Sequence, residues 1–117
     1  MPSFQGRTRI ELQPNDRDIP YRFTFTVCSG ENTNDGHLPY GDGISCVAVT
    51  GWTSAGVEDT ELVGTNTESG NVVTVPLSYP VTNGLGKYSL RFVILTDLGS
   101  TVECDFDRVF AMQKGTG

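Results

Sequence analysis

The chain has only one histidine, His37, among its 117 residues. Nucleophilic catalysis usually joins a nucleophile to an oriented base, and histidine is the commonest such base. His37 stands in a turn-forming stretch, so we expect it to be a solvated loop residue. The sequence also lacks a Gly-x-Ser-x-Gly elbow and a Gly-x-x-x-x-Gly-Lys-Ser/Thr phosphate loop. These absences predict a protein that is not an enzyme.

Basic residues and long apolar runs are scarce as well. Eight Lys and Arg residues stand against 14 Asp and Glu residues, which gives a net charge of -6. Because nucleic-acid affinity comes largely from cations that neutralise phosphates, we do not expect a nucleic-acid partner. No run approaches the roughly 20 apolar residues that cross a bilayer, and no apolar signal segment follows Met1. We therefore expect a protein that is made in the cytoplasm and has no membrane partner.

Cysteines are few and odd in number: Cys28, Cys46 and Cys104. This count favours reduced thiols that pack as small apolar side chains. No Cys-x-x-Cys pair occurs, so neither a zinc site nor any cofactor is predicted. One alternative stays open, a calcium ion held by oxygen ligands of residues 34–36 and Asp42, although the spacing of an EF-hand loop is missing.

Glycine and proline, by contrast, are plentiful, with 14 and 6 copies that fall between apolar runs. They separate short segments in which apolar residues recur at every second position, the period of a half-buried strand. The clearest alternation covers residues 21–27, and the longest apolar strand covers residues 87–96. Inward positions of the strands predict a core that includes Tyr21, Phe23, Phe25, Tyr88, Leu90, Phe92 and Phe106.

About seven such strands, turn signals every 8–12 residues or so and no helical period predict an all-β domain. The expected architecture is an immunoglobulin-like two-sheet antiparallel β-sandwich, with a small barrel as second choice. Because Pro76 has no N–H for a ladder, its strand is expected to lie at a sheet edge or to end there. The predicted organisation is an N-terminal arm of residues 1–7, a β-sandwich domain of residues 8–112 and a flexible C-terminal tail of residues 113–117.

Candidate contact residues lie in three places. Glu103, Asp105 and Asp107 share one strand face, which is either simply solvated or relieved of its repulsion by a cation or a positive partner surface. Trp52 follows a glycine at a strand end, where it is either core or an exposed anchor. The arm carries one aromatic and one cation, with which it is expected to dock on a neighbouring subunit or sheet edge, unless it is a frayed terminus. The candidate interface residues are Phe4, Arg7, Trp52, Glu103, Asp105 and Asp107.

Two resemblances to known families follow from these motifs. Residues 86–90, Gly-Lys-Tyr-Ser-Leu, resemble the entry to the penultimate strand of immunoglobulin and fibronectin type III domains, which implies that Tyr88 is a tyrosine corner. Residues 18–110 resemble small immunoglobulin-like virion proteins of tailed bacteriophages. The shared order is the aromatic strand at 21–27, Gly-Asp-Gly-Ile-Ser at 41–45, Gly-Trp-Thr at 51–53, Asn-Val-Val-Thr-Val-Pro-Leu-Ser at 71–78, the strand at 87–90 and Thr-Asp-Leu-Gly-Ser-Thr-Val-Glu at 96–103.

The phage resemblance implies a non-enzymatic structural component of the virion, synthesised in the host cytoplasm. It implies either a capsid cement (decoration) protein or a tail or fibre adaptor, bound to major capsid or tail proteins in a symmetric multi-copy assembly. A carbohydrate- or protein-binding adhesion module is the alternative, and it would favour exposed aromatics near Tyr40, Trp52 and Tyr79. A small hydrolase that uses Asp105 and Asp107 is a third possibility.

Overall fold

The computed structural model describes residues 9–112, and all regular structure in them is β-strand. No helix occurs within this range, so none is present there that could span a membrane. The strands are β1 (Ile10–Leu12), β2 (Ile19–Thr24), β3 (Ile44–Thr53), β4 (Glu58–Asp59), β5 (Thr67–Ser69), β6 (Val72–Leu77), β7 (Gly86–Thr96) and β8 (Thr101–Ala111). The prediction of an all-β domain is confirmed.

These strands form two sheets that enclose one apolar core. The larger sheet has the order β1-β8-β7-β3-β4, and the smaller sheet has the order β2-β6-β5. Every second residue of β6 and β7 is buried, as is typical of a strand with one face on the core. The core draws on both sheets and on two loop residues, Leu38 and Leu62, that are as buried as the strand residues.

Four aromatic rings form the centre of the contact between the two sheets. The ring centroid of Phe23 on β2 lies 5.0 Å from that of Phe92 and 5.4 Å from that of Phe106. Phe25 packs edge-on against Phe92 at 5.3 Å. Such tilted geometries are favourable for aromatic pairs and add to the stabilisation that comes from burial alone. Tyr88 and Leu90 are buried as well, so six of the seven predicted core side chains lie inside.

Tyr21 is the seventh, and it is only half-buried. Strand β2 is the outer strand of the small sheet, so a residue near its start lies at the rim of the core. The strand also ends at Thr24, earlier than the alternation over residues 21–27 predicted. Beyond it the backbone N–H of Phe25 donates to the carbonyl of Asn71, which still holds the Phe25 side chain over the core.

The arrangement differs from the expected one in strand number and direction. There are eight strands within residues 9–112, where about seven were expected, and the alternation in the sequence is too short to show β4 and β5. Strand β1 pairs with β8 in parallel, from Ile10 opposite Val109 to Leu12 opposite Ala111, so the sandwich is not wholly antiparallel. Because β1 passes to a strand of the other sheet, no tight hairpin forces it to run antiparallel to its neighbour.

Strand β6 lies in the middle of the small sheet and not at an edge, but it ends at Leu77, directly after Pro76, which was the other alternative expected from this proline. The short strand β5 pairs only with residues 72–74 of β6, so Pro76 lies beyond the end of that ladder. On the other side Pro76 is opposite Pro20 of β2, and neither residue has an N–H to leave unpaired. A central strand therefore tolerates this proline because its neighbours are short or also proline.

A β-bulge interrupts the pairing of the two longest strands. Phe106 is opposite Leu90, and Val109 is opposite Tyr88, so two residues of β8, Asp107 and Arg108, share the place opposite Ser89. Both bulge residues are exposed. The extra residue reverses the alternation, because the buried positions change from even numbers before the bulge to odd numbers after it.

Candidate binding face

The larger sheet has one side on the core and one side turned away from the smaller sheet, which we call the outer face. Its cross-strand register places residues of β3, β7 and β8 side by side in rows. From one end the rows are Cys46, Leu95 and Thr101; then Ala48, Val93 and Glu103; then Thr50, Arg91 and Asp105; and last Trp52, Ser89 and the bulge at Asp107. The face thus changes from apolar at one end to aromatic and charged at the other.

Trp52 is half-buried on this outer face and does not lie in the core. Its indole Nε1 donates to Thr50 Oγ1 at 2.8 Å, so the ring leans along its own strand. The guanidinium carbon of Arg91 lies 5.1 Å from the centroid of the Trp52 rings, within the range of a cation–π contact. Arg91 Nε in turn donates to Asp105 Oδ1 at 3.4 Å. Because both ionic side chains are exposed, this weak pair orients groups more than it stabilises the fold.

The acidic column of β8 is as the alternation predicted, with Glu103 and Asp105 exposed on one face and Asp107 at the bulge. Within residues 9–112, Arg91 is the only cation that forms an ion pair with this column. A second cation, Lys87, lies on the same side of β7 as Arg91, so the three acids of the column outnumber the cations of β7 by one. Exposed apolar side chains such as Leu95, which is 43% exposed, lie next to them. Arg91 was missed by the sequence prediction, although alternation from buried Leu90 and Phe92 places it outside.

A shallow groove of about 480 Å³ opens at the Trp52 end of the outer face. Its walls include two cations, one acid and hydroxyl groups, and its lining residues include Trp52, Ser54, Lys87, Ser89, Arg91 and Asp107. An aromatic wall beside hydrogen-bonding groups suits a polar ligand with an apolar face. Of the other aromatics in the adhesion hypothesis, Tyr40 is 53% exposed in a loop distant in sequence, and Tyr79 packs partly against the core.

His37 is buried, at 6% exposed, so the expectation of a solvated loop residue was wrong. The backbone N–H of Thr26 donates to His37 Nδ1 at 3.0 Å, and the imidazole packs edge-on against Phe25 at 5.3 Å between centroids. These contacts join the loop of residues 28–43 to the residues that precede it, and nothing in the turn-rich sequence of the loop predicts them. The imidazole thus anchors this loop on the core.

The carboxylate oxygens that the calcium hypothesis would use accept hydrogen bonds within the fold. Asp42 Oδ1 accepts from the N–H groups of Gly43 and Leu98, at 2.8 and 3.0 Å. Burial acts to raise the pKa of Asp42, but hydrogen bonds from Thr96 and from backbone N–H groups outweigh it and hold the pKa below its ordinary value. Within residues 9–112 no group of three or more His, Cys, Asp or Glu side chains is placed to hold a metal ion.

Asp35 closes the tip of the same loop. Its carboxylate accepts from Ser29 Oγ at 2.6 Å, from the Ser29 N–H at 2.9 Å and from Thr33 Oγ1 at 2.9 Å. These hydrogen bonds favour the charged form and lower the pKa of Asp35 from 3.8 to about 2. The loop tip is therefore tied together by an ionised carboxylate.

We expect this tie to be lost only in acid. Because the folded pKa is depressed, the stabilisation by Asp35 is complete above pH 3.8 and disappears as the pH falls from 3.8 towards 2. Carboxyl-carbon NMR of the wild-type chain should place the Asp35 midpoint near 2, and Ser29→Ala should move it up towards 3.8. An unchanged midpoint in that variant would show that Ser29 does not set the pKa.

The predicted interface residues divide into two groups. Trp52, Glu103, Asp105 and Asp107 come together on the outer face, as described above. Phe4 and Arg7 lie outside the described residues, as do the whole predicted arm of residues 1–7 and the whole predicted tail of residues 113–117. Cys28, Cys46 and Cys104 are free thiols.

No family model, no curated protein and no solved structure matches this chain.

Proposed function

We propose that the chain is a non-enzymatic structural component of a tailed-phage virion that binds neighbouring subunits through its outer face. The observation that carries the proposal is the cross-strand set of Trp52, Arg91 and Asp105 beside exposed apolar residues. Trp and Arg are the residues most enriched at the energetic centres of interfaces, and exposed apolar patches mark contact sites. Capsid cement protein and tail or fibre adaptor remain two forms of this proposal.

The charge of the outer face defines the partner surface. A positive partner surface would be attracted to Glu103, Asp105 and Asp107, whose only ion pair within residues 9–112 is the exposed one to Arg91. Ala48, Val93 and Leu95 lie beside this column on β3 and β7 and suit an apolar surface. The partner that fits is a protein subunit whose contact patch is apolar over β3 and β7 and basic along β8.

The same proposal assigns the two sheets to an immunoglobulin-like sandwich. In such domains strands B, E and D share one sheet, and G, F and C share the other. The order β2-β6-β5 against β8-β7-β3 has this pattern. The Tyr88 hydroxyl donates to the Gly84 carbonyl at 2.6 Å, four residues upstream, which is the contact of a tyrosine corner. Both observations support the resemblance that led to the virion role.

The virion role is tested by mass spectrometry of gradient-purified particles from infected cells. The proposal requires peptides of this chain to co-purify with the major capsid protein, and their absence from particles would refute it. The copy number then separates its two forms. A cement protein is expected in hundreds of copies, whereas the resemblance to adaptors implies about six or twelve, as the symmetry of a tail would require.

Charge reversal on the outer face should abolish binding without unfolding the domain. We expect Glu103→Lys to lower occupancy on particles that lack the protein by about tenfold or more, because it places a cation against a basic patch. Glu31→Lys is the matched control, since Glu31 is equally charged and exposed but lies in the loop of residues 28–43. Equal binding by both variants, with equal melting temperatures, would exclude the outer face.

One observation favours a second candidate, the carbohydrate-binding module. The groove at Trp52 offers an aromatic wall together with Lys87, Ser89 and Asp107. Sugars combine an apolar ring face with hydroxyl groups, which such a wall and such polar groups can bind. A glycan array probed with the wild-type chain and with Lys87→Ala tests this. Glycan binding that is lost in the variant would replace the protein-docking proposal.

A further inference from the structure

Strand β3 is covered by a neighbouring strand along only part of one of its two edges. On one side it pairs with β7 from Ile44 to Thr53, and on the other it pairs with β4 only at Gly51 and Trp52. Within residues 9–112, no backbone group bonds to that second side of residues 44–50. We call residues 44–50 the open segment. An edge of this length offers a row of N–H and C=O groups to an extended partner.

The odd-numbered residues of β3 direct their backbone groups to this second side. Asn66 Nδ2 donates to the carbonyl of Val47 at 3.2 Å, and the N–H of Thr53 donates to the carbonyl of Val57, just before β4, at 2.8 Å. Asn66 directly precedes β5 of the other sheet, so it flanks the edge and does not pair with it as a strand. A carbonyl has two lone pairs, so the Val47 carbonyl can accept a second hydrogen bond.

The open segment lacks the features by which edge strands avoid pairing with another chain. Short length, charged side chains and proline all discourage such pairing. The strands at the sheet ends, β1, β2, β4 and β5, have at most six residues, and each carries a charged residue. Strand β3 has ten residues, Ile-Ser-Cys-Val-Ala-Val-Thr-Gly-Trp-Thr, with no charge and no proline. It is therefore the strand of the described chain best suited to pair at its edge.

We infer that the open segment pairs with the open segment of a second copy of the chain, antiparallel about a twofold axis near Val47. Val47 is the middle residue of the open segment, so this register uses all of the edge that β4 leaves uncovered. It sets Val47 opposite its own equivalent and Cys46 opposite Ala48 of the second copy. The contact joins the two large sheets into one continuous sheet, and it covers the exposed parts of Val47 and Val49.

The distribution of charge favours a second copy as the partner. Because β3 is uncharged, its pairing with itself sets no like charges opposite one another, which would be destabilising. The acids of β8 lie two strands away in the same sheet. With strands about 4.8 Å apart, the two β8 strands of a dimer are roughly 24 Å apart, well beyond the Debye length of about 8 Å at physiological salt. The acidic column therefore does not oppose this contact.

Glu68 lies close to the proposed axis and gives the contact a salt dependence. Its Oε2 accepts from Asn66 Nδ2 at 3.1 Å, and the same nitrogen donates to Val47. A dimer about Val47 therefore brings two Glu68 carboxylates towards each other. Because Glu68 is exposed, added salt screens their repulsion. We expect self-association to strengthen with ionic strength, and Glu68→Gln to strengthen it at low salt.

The test is sedimentation velocity of the full-length chain over a concentration series up to about 1 mM, in which the wild type should dimerise. Ala48 is exposed on the outer face beside the proposed axis. Ala48→Lys and Ala48→Glu each bring two like charges together there, so each variant alone should self-associate about tenfold more weakly or less. An equal mixture of the two variants should restore association. Thr101→Lys is the matched control, since Thr101 is exposed on the same face but belongs to β8, and it should associate as the wild type does.

Ala48→Cys tests the register of the contact. Because the odd-numbered residues make the hydrogen bonds, Cys46 and the introduced thiol of the second copy form a non-hydrogen-bonded pair with Cα atoms about 4.5 Å apart, within reach of a disulfide. Oxidised glutathione should therefore link two copies of this variant, and peptide mass spectrometry should place the link between Cys46 and position 48. Thr101→Cys should give no such link between copies.

Three outcomes would overturn the inference. The first is a wild-type chain that stays monomeric throughout the series. The second is a mixture of Ala48→Lys and Ala48→Glu that associates no better than either variant alone. The third is an equal loss of association in Thr101→Lys, because the contact would then lie on the outer face and not at the β3 edge. Only the purified chain is used, so these results do not depend on the virion role.

Discussion

Replacing Phe92 by alanine should lower the free energy of unfolding by about 3–5 kcal/mol, the usual range for a phenylalanine in a packed core. Phe92 is completely buried, and its ring is in contact with both Phe23 and Phe25 of the opposite sheet. Alanine removes the ring at the point where the two sheets meet, and the strands on either side of Phe92 are too constrained to close the cavity. Equilibrium unfolding in urea, followed by tryptophan fluorescence, measures the loss.

Leu98→Ala is the control for this change. Leu98 is 72% exposed in the turn between β7 and β8, so its truncation should change stability by less than about 0.5 kcal/mol. Because the loss at Phe92 is a large part of a typical domain's stability, Phe92→Leu serves as a milder variant with a cost of roughly 1–2 kcal/mol. A Phe92→Ala chain as stable as the control would mean that the four rings do not form the centre of the core.

Strand β7 could be predicted because its two faces differ over eleven residues. Leu90, Phe92 and Ile94 are buried, and the residues between them are less so, which is the period-two pattern in its plainest form. Trp52 could have been placed by the same rule. Counting by twos from Val49 puts Gly51 inside and Trp52 outside, which is what the structure has. The alternative that Trp52 is a core residue came from its residue type and not from its position.

The bulge in β8 marks the limit of that rule. Up to Phe106 the alternation gives the correct inward residues, but from Val109 onward the parity is reversed. The inserted residue is set by the register with β7, and register is a relation between two strands that neither strand's own pattern reveals. For the same reason the sequence predicted the acidic column of Glu103 and Asp105 but not the position of Arg91. Arg91 lies opposite Asp105, and its guanidinium is in cation–π contact with the Trp52 rings.

Buried polar residues in loops and at the end of a very short strand were the least predictable part of the fold. His37 and Asp59 are both almost fully buried, although each is surrounded in sequence by residues typical of turns. Their partners are distant along the chain: His37 receives its hydrogen bond from Thr26, and Asp59 receives one from Asn83. Local composition reports that a segment turns, but burial depends on which other segment the tertiary structure brings against it.

Asp59→Ala should cost about 2–4 kcal/mol, because a buried carboxylate is removed from three donors, of which the Leu62 N–H is buried and the other two are partly buried. Asp59 Oδ1 accepts from the N–H groups of Glu61 and Leu62, at 2.9 and 3.0 Å. Its Oδ2 accepts from Asn83 Nδ2 at 2.6 Å. One carboxylate therefore fixes both the turn after β4 and the turn before β7. Leu62, in the first of these turns, is completely buried. Urea unfolding under the same conditions as for Phe92 measures the loss.

Asp59→Asn separates the hydrogen bonds from the charge. The amide keeps an oxygen for the two backbone N–H groups, so this variant should lose less than half of what Asp59→Ala loses. Burial first, and then the charge of Asp59, raise the pKa of Tyr88 above 10.0. Removing the charge should lower that pKa, which NMR of the labelled tyrosine ring carbons detects. If the alanine and asparagine variants lose the same free energy of unfolding, the hydrogen bonds are not the cause of that loss. If neither variant loses more than the exposed control Asp107→Ala, Asp59 does not hold the two turns together.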